Sequence, residues 1–83
     1  MSELPSADET LDTSGLYCPE PIMMMHNKVA EMVPGECLKV VATDPATTRD
    51  IPQFCAYLGH QLIQQETLPD SFVYYISIAG ASA

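Results

Sequence analysis

The sequence predicts an α+β fold: a two-layer α/β sandwich of element order βαβαββ, with a four-stranded mixed sheet and two helices on one face. Two segments repeat apolar residues at helical spacing. Four others are short runs, most of them alternating or rich in β-branched and aromatic residues. Gly, Pro and Asp turns punctuate the chain between them.

The first strand is Thr10-Leu11-Asp12, closed by a turn at Thr13-Ser14-Gly15. From Pro19 onward Ile22, Met25, Val29 and Met32 fall on one helical face, with Met24, Lys28 and Glu31 opposite, until Pro34-Gly35 ends the helix. Pro19 suits the first helical position, where its missing N–H costs nothing, and this makes Cys18 the expected N-cap. Residues 36–43 alternate Leu38, Val40 and Ala42 against Cys37, Lys39 and Val41, a strand with one face in the core. Asp44-Pro45 closes it. Ile51, Phe54, Cys55 and Leu58 mark a second helix, expected to be capped by Thr47 or Thr48, to hold Pro52 in its first turn and to stop at Gly59. Residues 60–67 and 71–78 are the last two strands, joined by a turn at Leu68-Pro69-Asp70 and close enough to form a hairpin.

A chain of 83 residues makes one domain, and at that size it buries only about two-thirds of its unfolded surface. Residues 9–79 are expected to form that domain, between a flexible N-terminal tail at residues 1–8 and a flexible C-terminal tail at residues 80–83. No apolar run reaches the roughly 20 residues that span a bilayer, and the first residues lack the basic and apolar regions of a secretory signal. A cytoplasmic location and no membrane partner are expected. Lys28, Lys39 and Arg49 stand against eleven acids, a net charge of −8. Such a surface repels a phosphate backbone, so direct binding of nucleic acid is not expected; it suits either solubility or steering towards a basic protein partner.

Three cysteines are too few for a disulfide scaffold, and each is judged as a free thiol. Cys18 opens the tetrapeptide Cys18-Pro19-Glu20-Pro21 at a helix start, where unpaired N–H groups and the macrodipole favour a thiolate. The two prolines remove donors and Glu20 adds a like charge, so moderate activation is expected. The same prolines stiffen the helix start and hold the sulfur in one place. The competing reading makes Cys18 a small apolar residue beside prolines that merely begin a helix. No second cysteine follows at Cys-x-x-Cys spacing, which argues against a dithiol cycle. His26 lies about 12 Å along the helix, too far to be the thiol's base, whereas His60 is free to approach in space. The cysteines and histidines show no zinc-ligand spacing, and no metal or other cofactor is expected. Cys55 falls on the apolar face of the second helix and Cys37 on the Lys39 side of its strand. Met23 and Met24 are left near the surface; a run such as Met23-Met24-Met25 is more often core than interface, but surface methionine next to a reactive thiol would make an adaptable contact patch.

The segments Leu11-Asp12, Gly15-Leu16 and Cys18-Pro19-Glu20-Pro21, with Asp44-Pro45-Ala46-Thr47-Thr48-Arg49-Asp50-Ile51-Pro52 and Phe54-Cys55, resemble the TusA sulfur carriers over roughly residues 10–78. Cys-Pro-x-Pro marks the wider TusA/SirA-like group; the second segment is narrower. The resemblance implies that Cys18 accepts sulfane sulfur as a persulfide from a cysteine desulfurase and passes it to a relay protein. In that family the sulfur ends as 2-thiouridine at the wobble position of certain tRNAs. Pro19, Glu20 and Pro21 would form the mount, and Met23, Met24, Lys28 and Arg49 are candidate partner-docking positions. Other readings of the same residues are a regulatory or interaction module, a carrier in sulfur oxidation or cofactor biosynthesis, and a one-cysteine peroxidase or reductase.

Overall fold

Apolar side chains from all six elements meet on one face of the sheet: Met25, Leu38, Val40, Ala42, Ile51, Phe54, Cys55, Tyr74, Ile76 and Ile78 are buried, with Leu11, Ile22, Val29, Met32, Leu62 and Phe72 around them. The computed structural model describes residues 6–79, so most of the two expected tails, residues 1–5 and 80–83, lies outside the described residues. Asp8, expected in the tail, is anchored: its N–H donates to the Cys37 carbonyl and its carboxylate accepts from the Cys37 N–H, both at 2.8 Å.

The elements are β1 (Glu9–Thr13), α1 (Glu20–Ala30), β2 (Cys37–Ala42), α2 (Thr47–Leu58), β3 (Gln61–Thr67) and β4 (Phe72–Ser77). The strand order is β1-β2-β4-β3. β1 runs parallel to β2, with Leu11 opposite Val40, and β4 is antiparallel to both its neighbours. β4 therefore inserts between β2 and β3, and the second crossover is a split βαβ unit. Both helices cover the same face, as the sequence predicts. The expected strand alternation also holds: Leu38, Val40 and Ala42 point to the helices. On the other face Cys37 is buried with Val73 and Tyr75, and the Lys39 ammonium lies 5.9 Å from the Tyr75 ring centre. The aliphatic stem of such a lysine covers apolar surface while its charge stays wet.

Several local expectations are corrected. α1 ends at Ala30, with Glu31 as C-cap, so the helix stops short of Pro34-Gly35. Neither threonine caps α2 through its side chain; the N-cap is Ala46. Thr47 Oγ1 donates instead to the Asp44 carbonyl at 2.7 Å and shares a 2.9 Å hydrogen bond with the Tyr74 hydroxyl, while Thr48 Oγ1 donates to the Pro45 carbonyl. Because the helix already begins at Thr47, Pro52 falls beyond the first turn and lies inside it. The donor it lacks would have met the carbonyl of Thr48, an exposed residue where water can take its place. Gly59 ends α2 in the left-handed conformation at φ 82°, which costs glycine nothing.

Candidate functional site

Cys18 is exposed and sits in the turn that leads into α1. The helix N-cap is Pro19, not Cys18, because the chain first makes a tight turn: Glu20 N–H donates to the Tyr17 carbonyl, and the first helical bond runs from Met23 N–H to Pro19. The Cys18–Pro19 peptide is cis. Of the expected mount, Pro21 is buried and ties the helix start to the fold, while Pro19 and Glu20 are exposed.

What holds the cysteine comes from the loop that leads into the other helix. Cys18 N–H donates to Asp44 Oδ2 at 2.8 Å, and Asp44 Oδ1 accepts from Ala46 N–H at 3.0 Å. One carboxylate thus joins the turn before α1 to the start of α2. The two backbone hydrogen bonds, that to Ala46 first, hold the Asp44 carboxyl below the ordinary carboxylate range. Its contribution to stability is then complete above the unfolded carboxylate value and is lost as pH falls through the depressed folded value. Asp44→Asn should accordingly lower the urea midpoint by a constant margin above about pH 5, and that margin should close as the medium is taken down towards about pH 3. A margin independent of pH would contradict this role for the charge.

The expected moderate activation of Cys18 is reversed. Its thiol is pushed above the usual cysteine value, first by the Asp50 carboxylate accepting its hydrogen bond, then by desolvation and by the charges of Asp50 and Asp44; Arg49 works the other way. The physical reason is position. Cys18 lies one residue before the N-cap, so two carboxylates at the head of α2, and not the α1 dipole, dominate its surroundings. Neither histidine is among the groups acting on this thiol. His26 packs edge-on to Phe54 with ring centres 4.8 Å apart, and His60 Nδ1 accepts from Ala79 N–H at 2.9 Å.

The other two thiols are buried. Burial pushes Cys55 up to about 11 and raises Cys37 as well. Iodoacetamide on the native chain near pH 8 should therefore modify Cys18 alone, with Cys37 and Cys55 reacting only after denaturation. Peptide mass mapping reads this directly, and early labelling of Cys55 would contradict the packing.

The candidate docking residues differ in freedom. Met23 is 58% exposed and joins Leu16, Glu20, half-buried Met24 and Asn27 along an open groove of about 230 Å³. Lys28 is committed to Glu9 at 3.0 Å. Arg49 is largely exposed and its Nε lies 3.1 Å from Asp50 Oδ1. A second open groove of about 610 Å³ runs along His26, Asp50, Gln53, Phe54, Ala56 and Tyr57. Among the described residues no group of three or more His, Cys, Asp and Glu side chains is placed to hold a metal ion, and no helix is long and apolar enough to cross a membrane.

Asp44 and Asp50 are the site residues that the chemistry of single segments misses. Asp44 reads as the close of a strand, and Asp50 enters only within the segment that carries the family resemblance. The one local signal was the Asp-Pro-Ala order, in which an aspartate accepts from the N–H two residues on. Its bond to Cys18 spans 26 residues and has no local signature.

The family model described as Sulfurtransferase TusA matches residues 9–78. The chain belongs to the TusA family. Among its curated relatives, the sulfur carrier protein TusA of Pseudomonas aeruginosa (strain PAO1) is 55% identical over 71 residues, covering 86% of this chain and 90% of the relative. That of Pseudomonas syringae pv. tomato is 51% identical, over 86% of this chain and 84% of the relative. The crystal structure of a SirA-like protein from Desulfitobacterium hafniense superposes with a TM-score of 0.74 at 19% identity, covering 87% of this chain and 99% of that one, a likeness of fold. The TusA match spans both the Cys18 turn and the segment from Asp44 to Pro52 that supports it.

Proposed function

We propose that this TusA-family chain is a sulfur carrier that accepts sulfane sulfur as a persulfide on Cys18 and passes it on within a relay. The observation that carries this is the contrast among the three thiols: Cys18 is exposed on a pinned turn while Cys37 and Cys55 are buried. In the loading step Cys18 Sγ attacks the terminal sulfur of a donor persulfide. A bond forms between Sγ and that sulfur, the donor's sulfur–sulfur bond breaks, and the donor thiolate leaves with the electron pair. The thiol proton of Cys18 balances the leaving thiolate, and no external oxidant or reductant enters.

The donor is a cysteine desulfurase, and the acceptor is a relay protein that serves 2-thiolation of the tRNA wobble uridine, in the cytoplasm. The curated relatives' designation as sulfur carriers supports this assignment. With a net charge of −8 the chain meets proteins and not the tRNA itself. Pro19, Glu20 and Pro21 act as the mount, and Met23, Met24 and Arg49 as contacts for the partners, with Lys28 bracing α1 to β1 through Glu9. A one-cysteine peroxidase is disfavoured, because it needs a thiolate at neutral pH and the carboxylates beside Cys18 oppose one.

The test is complementation. In cells that lack their own carrier, the wild-type chain should restore 2-thiouridine in tRNA and Cys18→Ala should not. Restoration by the alanine variant would overturn the reading.

A further inference from the structure

The chain that leads to Cys18 is tied at three points to the end of β2 and the loop after it. Thr13 Oγ1 donates to the Val41 carbonyl at 2.8 Å, Gly15 N–H to Thr43 Oγ1 at 2.9 Å, and Cys18 N–H to Asp44 Oδ2 at 2.8 Å. Asp44 is itself held from the core. Its carbonyl accepts from both the N–H and the hydroxyl of Thr47, at 3.0 and 2.7 Å. Thr47 Oγ1 has one proton and gives it to that carbonyl, so in its 2.9 Å bond with Tyr74 it accepts and the Tyr74 hydroxyl donates. Tyr74 lies on β4, an inner strand of the sheet, and is 0% exposed; Thr47 is 2% exposed. Among the described residues Thr47 is the only hydrogen-bond partner of the Tyr74 hydroxyl.

We propose that Thr47 and Tyr74 are positioning residues for sulfur transfer: the buried chain from the Tyr74 hydroxyl through Thr47 fixes the Asp44 backbone, from which the carboxylate clasps the Cys18 turn. This rests on the carrier reading and deepens it. A hydroxyl buried without a partner is costly, and phenylalanine would fill the same space at Tyr74 without that demand. What the hydroxyl adds is direction, because it fixes the rotation of Thr47 and with it the Asp44 carbonyl. Attack on a donor sulfur needs the reacting atoms close and aligned. Cys18 is exposed, so its backbone clasp decides where the sulfur is presented. Both buried side chains act through Asp44 and form no bond to the moving sulfur.

The experiment reads deuterium exchange at the Cys18 amide of the full chain by NMR, together with the rate of sulfur loading from a cysteine desulfurase and cysteine. Thr47→Val leaves the Tyr74 hydroxyl buried and unpaired, so its Tm should fall and the Cys18 amide should exchange severalfold faster. Adding Tyr74→Phe removes both polar partners, a change close to neutral for stability. In this double variant Tm should recover, while the Cys18 amide stays severalfold faster and loading severalfold slower than in the wild type. Thr47→Ser keeps the hydroxyl and should match the wild type in both. A wild-type rate of exchange or of loading in the folded double variant would overturn the assignment, as would a serine variant as impaired as the valine one. Should the valine variants not fold, Tyr74→Phe alone decides: it should speed exchange at Cys18, and a wild-type rate there overturns the assignment. Amide exchange involves no sulfur donor, so failure of the carrier reading would show as a wild-type chain that takes up no sulfur and would leave the exchange rates where they are.

Discussion

Cys18→Ser takes up no sulfur from a cysteine desulfurase supplied with cysteine, whereas the wild-type chain gains one reducible sulfur atom in intact mass. Oxygen at this position keeps the backbone hydrogen bond to Asp44, because that bond uses the N–H and not the side chain. The turn, the N-cap at Pro19 and the buried Pro21 are equally untouched. A serine hydroxyl has no persulfide chemistry at neutral pH, so the loss should be complete and not partial. The two remaining thiols cannot substitute: Cys37 is packed against Val73 and Tyr75, and Cys55 lies in the main core with its thiol raised to about 11. Thermal unfolding of the variant should match the wild type, which separates lost chemistry from lost structure.

Met25→Ala has the largest expected effect on stability. Pro21 and Met25 are the buried residues of α1, and Met25 is fully enclosed, packed in the cluster that Leu38, Ile51 and Tyr74 share. Truncation removes the apolar contact of the side chain and leaves a cavity into which surrounding structure relaxes only in part, a cost of about 2–5 kcal/mol. A domain of this length has roughly 5–15 kcal/mol in all, and the loss should appear as a fall in Tm on the order of 10–30 °C. α1 is also the element that Cys18 precedes. In the variant its amides should exchange with deuterium well before those of β2 and β4, and a Tm change of only a few degrees would mean that Met25 is not the anchor.

The fold was legible because its elements announce themselves separately. Ile22, Met25, Val29 and Met32 lie at helical spacing and do form the inner face of α1 and the turn after it, and the alternation of Leu38, Val40 and Ala42 is the alternation of β2. Helix ends were less legible. Pro34-Gly35 looked like the stop of α1, but the chain leaves the helix after Ala30 and Glu36 Oε1 accepts from the Val33 N–H in the loop that follows. Thr47 looked like a cap, but its hydroxyl is turned inwards to the Asp44 carbonyl and Tyr74, partners that only the folded sheet supplies. The cysteine itself was legible from Cys-Pro-Glu-Pro. Its electrostatics were not, because the reading counted only charges close in sequence. Glu20, two residues away, is exposed, and the carboxylates that act on the thiol are Asp50 and Asp44, brought in from α2 and the loop before it.

The acids at the head of α2 and the exposed Met23 lie on the elements that flank the thiol. On the proposed carrier function a donor would approach across both, its basic surface drawn by the charge and its shape met by the adaptable methionine.

The most direct test of the account is to load the wild-type chain with a desulfurase and cysteine, trap persulfides by alkylation, digest, and locate the added sulfur by peptide mass. The account predicts one sulfur atom on the peptide that contains Cys18, released by reductant, and none on those of Cys37 and Cys55. Sulfur on either buried cysteine, or none anywhere while the desulfurase turns over, would contradict it.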